Sequence, residues 1–121
     1  MKLFRFDQDI GAAIDKFDSV GFIFSRLAWP SGDVRIACAH LQAGGVIGHH
    51  QAVGSQLFVV VQGQGTVRGA EDVVVPIAAG QAAFWVAGEW HETRTEMGLT
   101  AILVECETMR REDINAPEIV V

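Results

Sequence analysis

The 121-residue chain has no tyrosine, only three prolines and only two cysteines. The first absence removes phenolic acid catalysis and tyrosine nucleophiles. Cys38 and Cys106 stand far apart, form no CxxC pair and sit in the apolar strand-like segments RIACAHL and ILVEC. They read as buried free thiols, with a disulfide or a thiol nucleophile as the alternatives. Positive charge is scarce: nine Lys and Arg face fifteen Asp and Glu, for a formal charge of −6. A footprint for neutralising phosphates is therefore missing, which excludes nucleic acid and anionic membranes as expected partners. No apolar run approaches the roughly 18 residues of a membrane span. The opening MKLFRFDQDIG meets Asp7 and Asp9 before an apolar stretch can form, so no signal peptide is expected and the cytoplasm is the expected location. The chain also lacks a GxSxG elbow, a GxxxxGK[ST] phosphate loop, a GxGxxG opening a helix, and an HExxH pair.

What remains is a chain that is 50% hydrophobic and 20% charged, enough apolar surface for one folded domain over 1–121. Only one stretch has helical spacing: Ile10, Ile14 and Phe17, closed by Gly21, predict one short N-terminal helix. Thereafter β-rich runs alternate with turn residues: GFIFSRLAW, DVRIACAHL, QLFVVVQ, TVRG, DVVVPI, AAFWV, WHETRTE and LTAILVEC. Many of the thirteen glycines fall between these runs, and GQGTVRG reads as a hairpin. In DVRIACAHL, Val34, Ile36, Cys38 and His40 take one side and Arg35, Ala37, Ala39 and Leu41 the other, so one face belongs to the core. QLFVVV is apolar on both faces, which fits the middle of a sheet or a subunit contact. So many short strands in a small chain predict an all-β sandwich or closed barrel. Pro117 bars the tail from a central strand, leaving it frayed or docked on a neighbouring surface.

Three histidines draw attention by position. His49 and His50 follow AGGVIG, and His91 lies some forty residues on in GEWHETRT. A barrel brings such distant strands together, and neutral imidazole is the commonest ligand for transition metals.

The chain here resembles the cupin superfamily, whose motifs read G(x)5HxH(x)3-4E(x)6G and G(x)5PxG(x)2H(x)3N. Gly44 is followed after five residues by His50, then Ala52 at the second His, Gln56 at the Glu, and Gly63. The second motif runs from Gly80 through Val86 at the Pro, Gly88 and His91 to Thr95 at the Asn. A shifted register would use His49 and Gln51, but it breaks the count from Gly44. The chain is also similar to small uncharacterised single-domain cupins that share IG-x-H-x-A, QLF, G-x-G and AFW…GEWHET…GLTAI stretches. The resemblance implies a double-stranded β-helix, or jelly-roll β-barrel, with its core at about 33–106. It also implies a divalent metal (Zn, Fe, Mn or Ni), weakly bound or absent, held by His50, Gln56 and His91. Ala52 donates nothing, and Gln56 replaces an anion with a neutral amide.

Around His91, Trp85, Glu89 and Thr93 are the candidate ligand-pocket residues. Trp85 and the neighbouring Trp90 read equally as pocket wall or as ordinary barrel and interface residues. Glu89 reads as a general base, an oxygen ligand or a solvated turn carboxylate. Thr93 and Thr95 share the strand parity of His91, whereas His40 and His49 read as surface or satisfied sheet residues. Three functions stay open: a cupin binding a small molecule, with a metal or without one; a metal-dependent dioxygenase, isomerase or lyase acting on a small polar compound; and a metal-free structural dimeric barrel. No catalytic residue is singled out. The apolar GFIF and QLFVVV segments, with the habit of cupins, predict a homodimer.

Overall fold

The structure is a computed structural model and describes residues 1–120. Its strands are β1 (Lys2–Arg5), β2 (Ala12–Ile14), β3 (Phe22–Phe24), β4 (Arg35–Leu41), β5 (Val46–Gln51) and β6 (Ser55–Arg68). They continue with β7 (Val74–Ala78), β8 (Gln81–Trp85), β9 (Trp90–Arg94), β10 (Leu99–Cys106) and β11 (Glu118–Ile119). All described pairings are antiparallel. The fold is the all-β jelly roll that the sequence predicts.

One long strand organises it. The first half of β6 lies between β8 and β10 in a sheet ordered β11-β1-β8-β6-β10-β4, while its second half pairs with β7 and β9, and β9 carries β5. The strand therefore passes from one wall of the barrel to the other. Gly63 permits the bend: its φ is +80°, and a β-carbon there would collide with the Gly98 carbonyl oxygen. The GQGTVRG run is one arm of a hairpin with β7 whose reversal begins at Gly69, and its first two glycines are not that reversal. The glycines bend a continuous strand instead.

Alternation along β6 explains why QLFVVV is apolar throughout. Phe58 and Val60 point into the barrel with Ala83, Trp85, Ala101 and Ile77. Leu57 and Val59 point outward, where Phe4, Phe84, Met109, Ile114 and Ala116 cover them. Both faces are buried from Leu57 to Val60, so apolar residues are required there, whereas Val61 is exposed. The tail is docked as one of the two sequence alternatives had it, with Ile114 and Ala116 buried and β11 added at the edge of β1.

The N-terminal helix is absent. Residues Gln8–Ile10 and Lys16–Asp18 form single 3-10 turns, and Ala12–Ile14 pairs with Phe22–Phe24 in a separate two-stranded hairpin. So short a helix is marginal without a surface to pack on, and Phe17, at 95% exposure, finds none. A second correction concerns Cys38, which is exposed while Cys106 is buried. The inner face of β4 is the Ala39–Leu41 side, with Leu41 against the barrel core. The more apolar face, with Ile36 and Cys38, lies outside and uncovered. No helix among the described residues is long and apolar enough to cross a membrane.

Candidate functional site

β5 and β9 are paired so that His50 stands directly opposite His91. The two imidazole rings have centroids 4.4 Å apart and are tilted by 51°. A register irregularity between Ile47 and His50 precedes this pairing. His91 is 2% exposed, whereas His50 lies at the open side of the barrel.

Each ring is oriented by a backbone carbonyl. His50 Nδ1 is 2.6 Å from the Gly48 oxygen, and His91 Nδ1 is 3.1 Å from the Glu89 oxygen. A carbonyl only accepts, so in both neutral rings Nδ1 carries the proton and Nε2 keeps a free lone pair. Burial is the main cause that holds the His91 pKa below the ordinary imidazole value, and the neighbouring His50 acts in the same direction. The hydrogen bond to Glu89 opposes them. The turn supplying that carbonyl is itself pinned: Ala52 N–H donates to the Glu89 oxygen, Gly88 N–H to the Ala52 oxygen, and the Gln51 side chain to the Gly88 oxygen.

Trp85, wholly buried at the end of β8, stacks on His91 with centroids 4.3 Å apart and an interplanar angle of 26°. Its indole Nε1 has no hydrogen-bond partner and is the one such buried side-chain atom among the described residues. Across β6, Trp85 stands opposite Gln56. The Gln56 amide is buried, and its Nε2 donates to Glu105 Oε1 at 3.0 Å. A carboxylate accepts, so the amide nitrogen must face Glu105, and the Gln56 carbonyl oxygen is turned the other way. Glu105 therefore supplies a carboxylate one hydrogen bond behind the position where the cupin motif has its own. Its side chain shares the inward parity of Leu103 and Ala101, and its β4 neighbour is Arg35. No motif spacing points to Glu105; the signal was a lone acidic residue at the inward parity of an otherwise apolar strand.

The other candidates lie differently. The Glu89 carboxylate accepts from the Met1 ammonium at 2.7 Å and from the Ala70 and Val86 backbone N–H groups. Thr93 is buried two residues along β9 from His91, against Val67 and Ile47 in register. The Thr95 hydroxyl donates to the Gln64 oxygen and accepts from Gly98 N–H. Trp90 is turned outward beside His49, with centroids 5.0 Å apart. Ala52 is buried in the inner cluster, its methyl filling the second-histidine position.

Among the described residues no three His, Cys, Asp or Glu side chains converge as a metal-binding group. His50 and His91 each have Nδ1 on a backbone carbonyl and Nε2 left over, and imidazole nitrogen of this kind suits a borderline transition metal. A cavity of about 700 Å³ lies elsewhere, at the far end of β5 and β9, against Val46, Gln64, Thr66, Ile77 and Arg94, and neither histidine lines it.

The comparisons agree with this architecture. Residues 38–105 match the cupin domain family, and the chain belongs to it. Among solved structures it resembles an uncharacterized conserved protein with a double-stranded β-helix domain from Klebsiella pneumoniae, at 18% identity and TM-score 0.57 over 77% of this chain and 78% of that one. A conserved protein of unknown function from Streptococcus pyogenes is similar at 20% identity and TM-score 0.58, covering 69% and 73% of the two chains. A predicted oxalate decarboxylase from Thermotoga maritima is similar at 26% identity and TM-score 0.53, over 57% of this chain and 62% of the other. None of the curated proteins matches the chain.

Proposed function

We propose that this cupin, one domain over residues 1–121, binds a small polar molecule at the His50–His91 pair, with a divalent metal as the bridging element. The observation that carries the reading is the pair itself: two facing imidazoles whose Nδ1 protons are fixed on backbone carbonyls, leaving both Nε2 lone pairs free. His50 and His91 would hold the metal, with the Gln56 oxygen as a neutral third ligand. Without an anion among the ligands the affinity is low. When bound, such an ion supplies Lewis acidity. The protein's own groups do the rest: Glu105 fixes the Gln56 amide, Trp85 stacks on His91 with its indole N–H unpaired, and Ala52 supplies no ligand where the motif has its second histidine. Glu89 and Thr93 line the same neighbourhood, with Glu89 holding the turn that orients His91.

A second reading, a lyase acting on a small acid, is favoured by the likeness to the predicted oxalate decarboxylase. An orphan indole N–H beside two imidazoles suits an acceptor-rich substrate. The acidic net charge supports a small-molecule partner rather than nucleic acid or an anionic membrane. The exposed GFIF segment supports association as a homodimer.

Titration with Co²⁺ tests the metal reading, followed by absorption spectroscopy and elemental analysis. A d–d spectrum of nitrogen ligation at one ion per chain, lost in both His50→Ala and His91→Ala, is the expected result. An ion retained when both histidines are replaced refutes the ligand assignment, and no binding at millimolar Co²⁺ refutes the metal.

A further inference from the structure

One row of residues crosses the inner wall of the barrel. Trp85 on β8, Gln56 on β6, Glu105 on β10 and Arg35 on β4 stand side by side in register. Residues directly opposite on antiparallel strands project to the same face. Trp85 belongs to the inner cluster and stacks on His91, so Arg35 shares the face and the level of the histidine pair. Its place along the strand agrees. β4 borders one sheet and β5 the other, and the chain turns between them at 42–45. Arg35, the first residue of β4, and His50, near the end of β5, both stand away from that turn. The barrel is open there: Arg35, Ala37 and His50 are exposed, whereas Leu41, at the turn end of the same face of β4, packs on the core.

Arg35 is also a charge without a partner. It makes no ion pair and no side-chain hydrogen bond among the described residues, although Glu105 is its cross-strand neighbour. In such a pair the β-carbons are only ~5 Å apart. The Glu105 carboxylate is engaged instead by the Gln56 amide at 3.0 Å, which draws it toward β6 and leaves the β4 side to Arg35. A guanidinium so placed has both its charge and its planar fork available, and that fork matches a carboxylate through two parallel hydrogen bonds.

We infer that Arg35 determines the specificity of the site: its guanidinium takes one carboxylate of a small organic acid whose second oxygen donor meets the His50–His91 pair. The inference rests on the binding site proposed above and names its ligand class. Facing sheets pack ~10 Å apart, a gap that an arginine, an imidazole and an acid of a few carbons fill together.

Calorimetry with malonate, succinate and glutarate tests it, in the metal-free and the Co²⁺-loaded protein, with each diamide as the uncharged control. At least one acid should bind at one per chain, tenfold or more tighter than its diamide. Arg35→Gln should lose at least tenfold in affinity for that acid, with the diamide, the Co²⁺ affinity and the circular dichroism unchanged. Arg35→Lys, which keeps the charge without the fork, should recover part of the loss. Arg26→Gln removes the same charge beside Phe24 and should change nothing. His50→Ala should weaken the acid as well. Acid affinity indifferent to Arg35→Gln, an equal loss in Arg26→Gln, or no acid bound at millimolar concentration would each overturn the inference. Co²⁺ held by both histidines with no acid bound overturns Arg35 and leaves the metal site standing; acid binding that needs Arg35 and His50 without any Co²⁺ bound supports Arg35 and refutes the metal.

Discussion

Replacing Glu105 by leucine removes the carboxylate that accepts from the buried Gln56 amide at 3.0 Å. A buried donor left without a partner costs ~1–3 kcal/mol. Glu105 itself is only half-buried, so some of its attraction is already screened by water and the expected loss is ~1–2 kcal/mol. For a domain of this size that is a fall of about 4–10 °C in Tm. Gln56→Leu strands only the half-exposed carboxylate, which water can reach, and should cost ~0.5–1 kcal/mol. The double variant removes both polar partners and should return to within ~0.5 kcal/mol of the parent, since exchanging both members of a pair for apolar groups is nearly neutral. Urea unfolding of the four proteins, followed by tryptophan fluorescence, measures the cycle. Single losses that simply add in the double variant would refute the coupling. The same Glu105→Leu protein should bind Co²⁺ about 10–100-fold more weakly, because a ligand amide loses the group that orients it.

Two further outcomes follow from the histidine site. Because burial lowers the folded-state pKa of His91 below its ordinary 6.5, the unfolded chain takes up that proton first as pH falls. The stability this imidazole confers is therefore present above about pH 6.5 and declines below it, down to the lowered folded value. Thermal melts from neutral to acid pH should show the decline, and His91→Gln should flatten that part of the curve; an unchanged slope would refute it. Ala52→His restores the second histidine of the motif inside a filled core. It should cost ~1–3 kcal/mol of stability through overpacking in the metal-free protein and raise Co²⁺ affinity at least tenfold. Calorimetry with and without Co²⁺ checks both, and no gain in affinity would mean that position 52 does not face the ion.

The barrel was legible because its determinants are local and periodic. QLFVVV announced a strand buried on both faces, and the structure puts it at the centre of a sheet covered on both sides. The placing of His50 opposite His91 was legible for a different reason, because motif spacing encodes how far the chain travels before it returns. The misreadings share one cause. Ile10, Ile14 and Phe17 have helical spacing, and Val34, Ile36 and Cys38 have strand spacing with an apolar side, but periodicity states only that one face is apolar. It does not state what the face meets. In both segments the chain leaves much of that face uncovered: Phe17, Val34, Ile36 and Cys38 are exposed, while Ile10 and Ile14 are half-buried. Glu105 shows the converse: a single carboxylate in an apolar strand has no period at all, and its role exists only through the Gln56 amide that β6 brings beside it. Apolar patterning thus fixed the barrel and its inward faces, whereas the polar pairs inside it and the apolar surfaces outside it depend on long-range register. The Gln56–Glu105 pair is such a place, where a second strand completes what one segment begins.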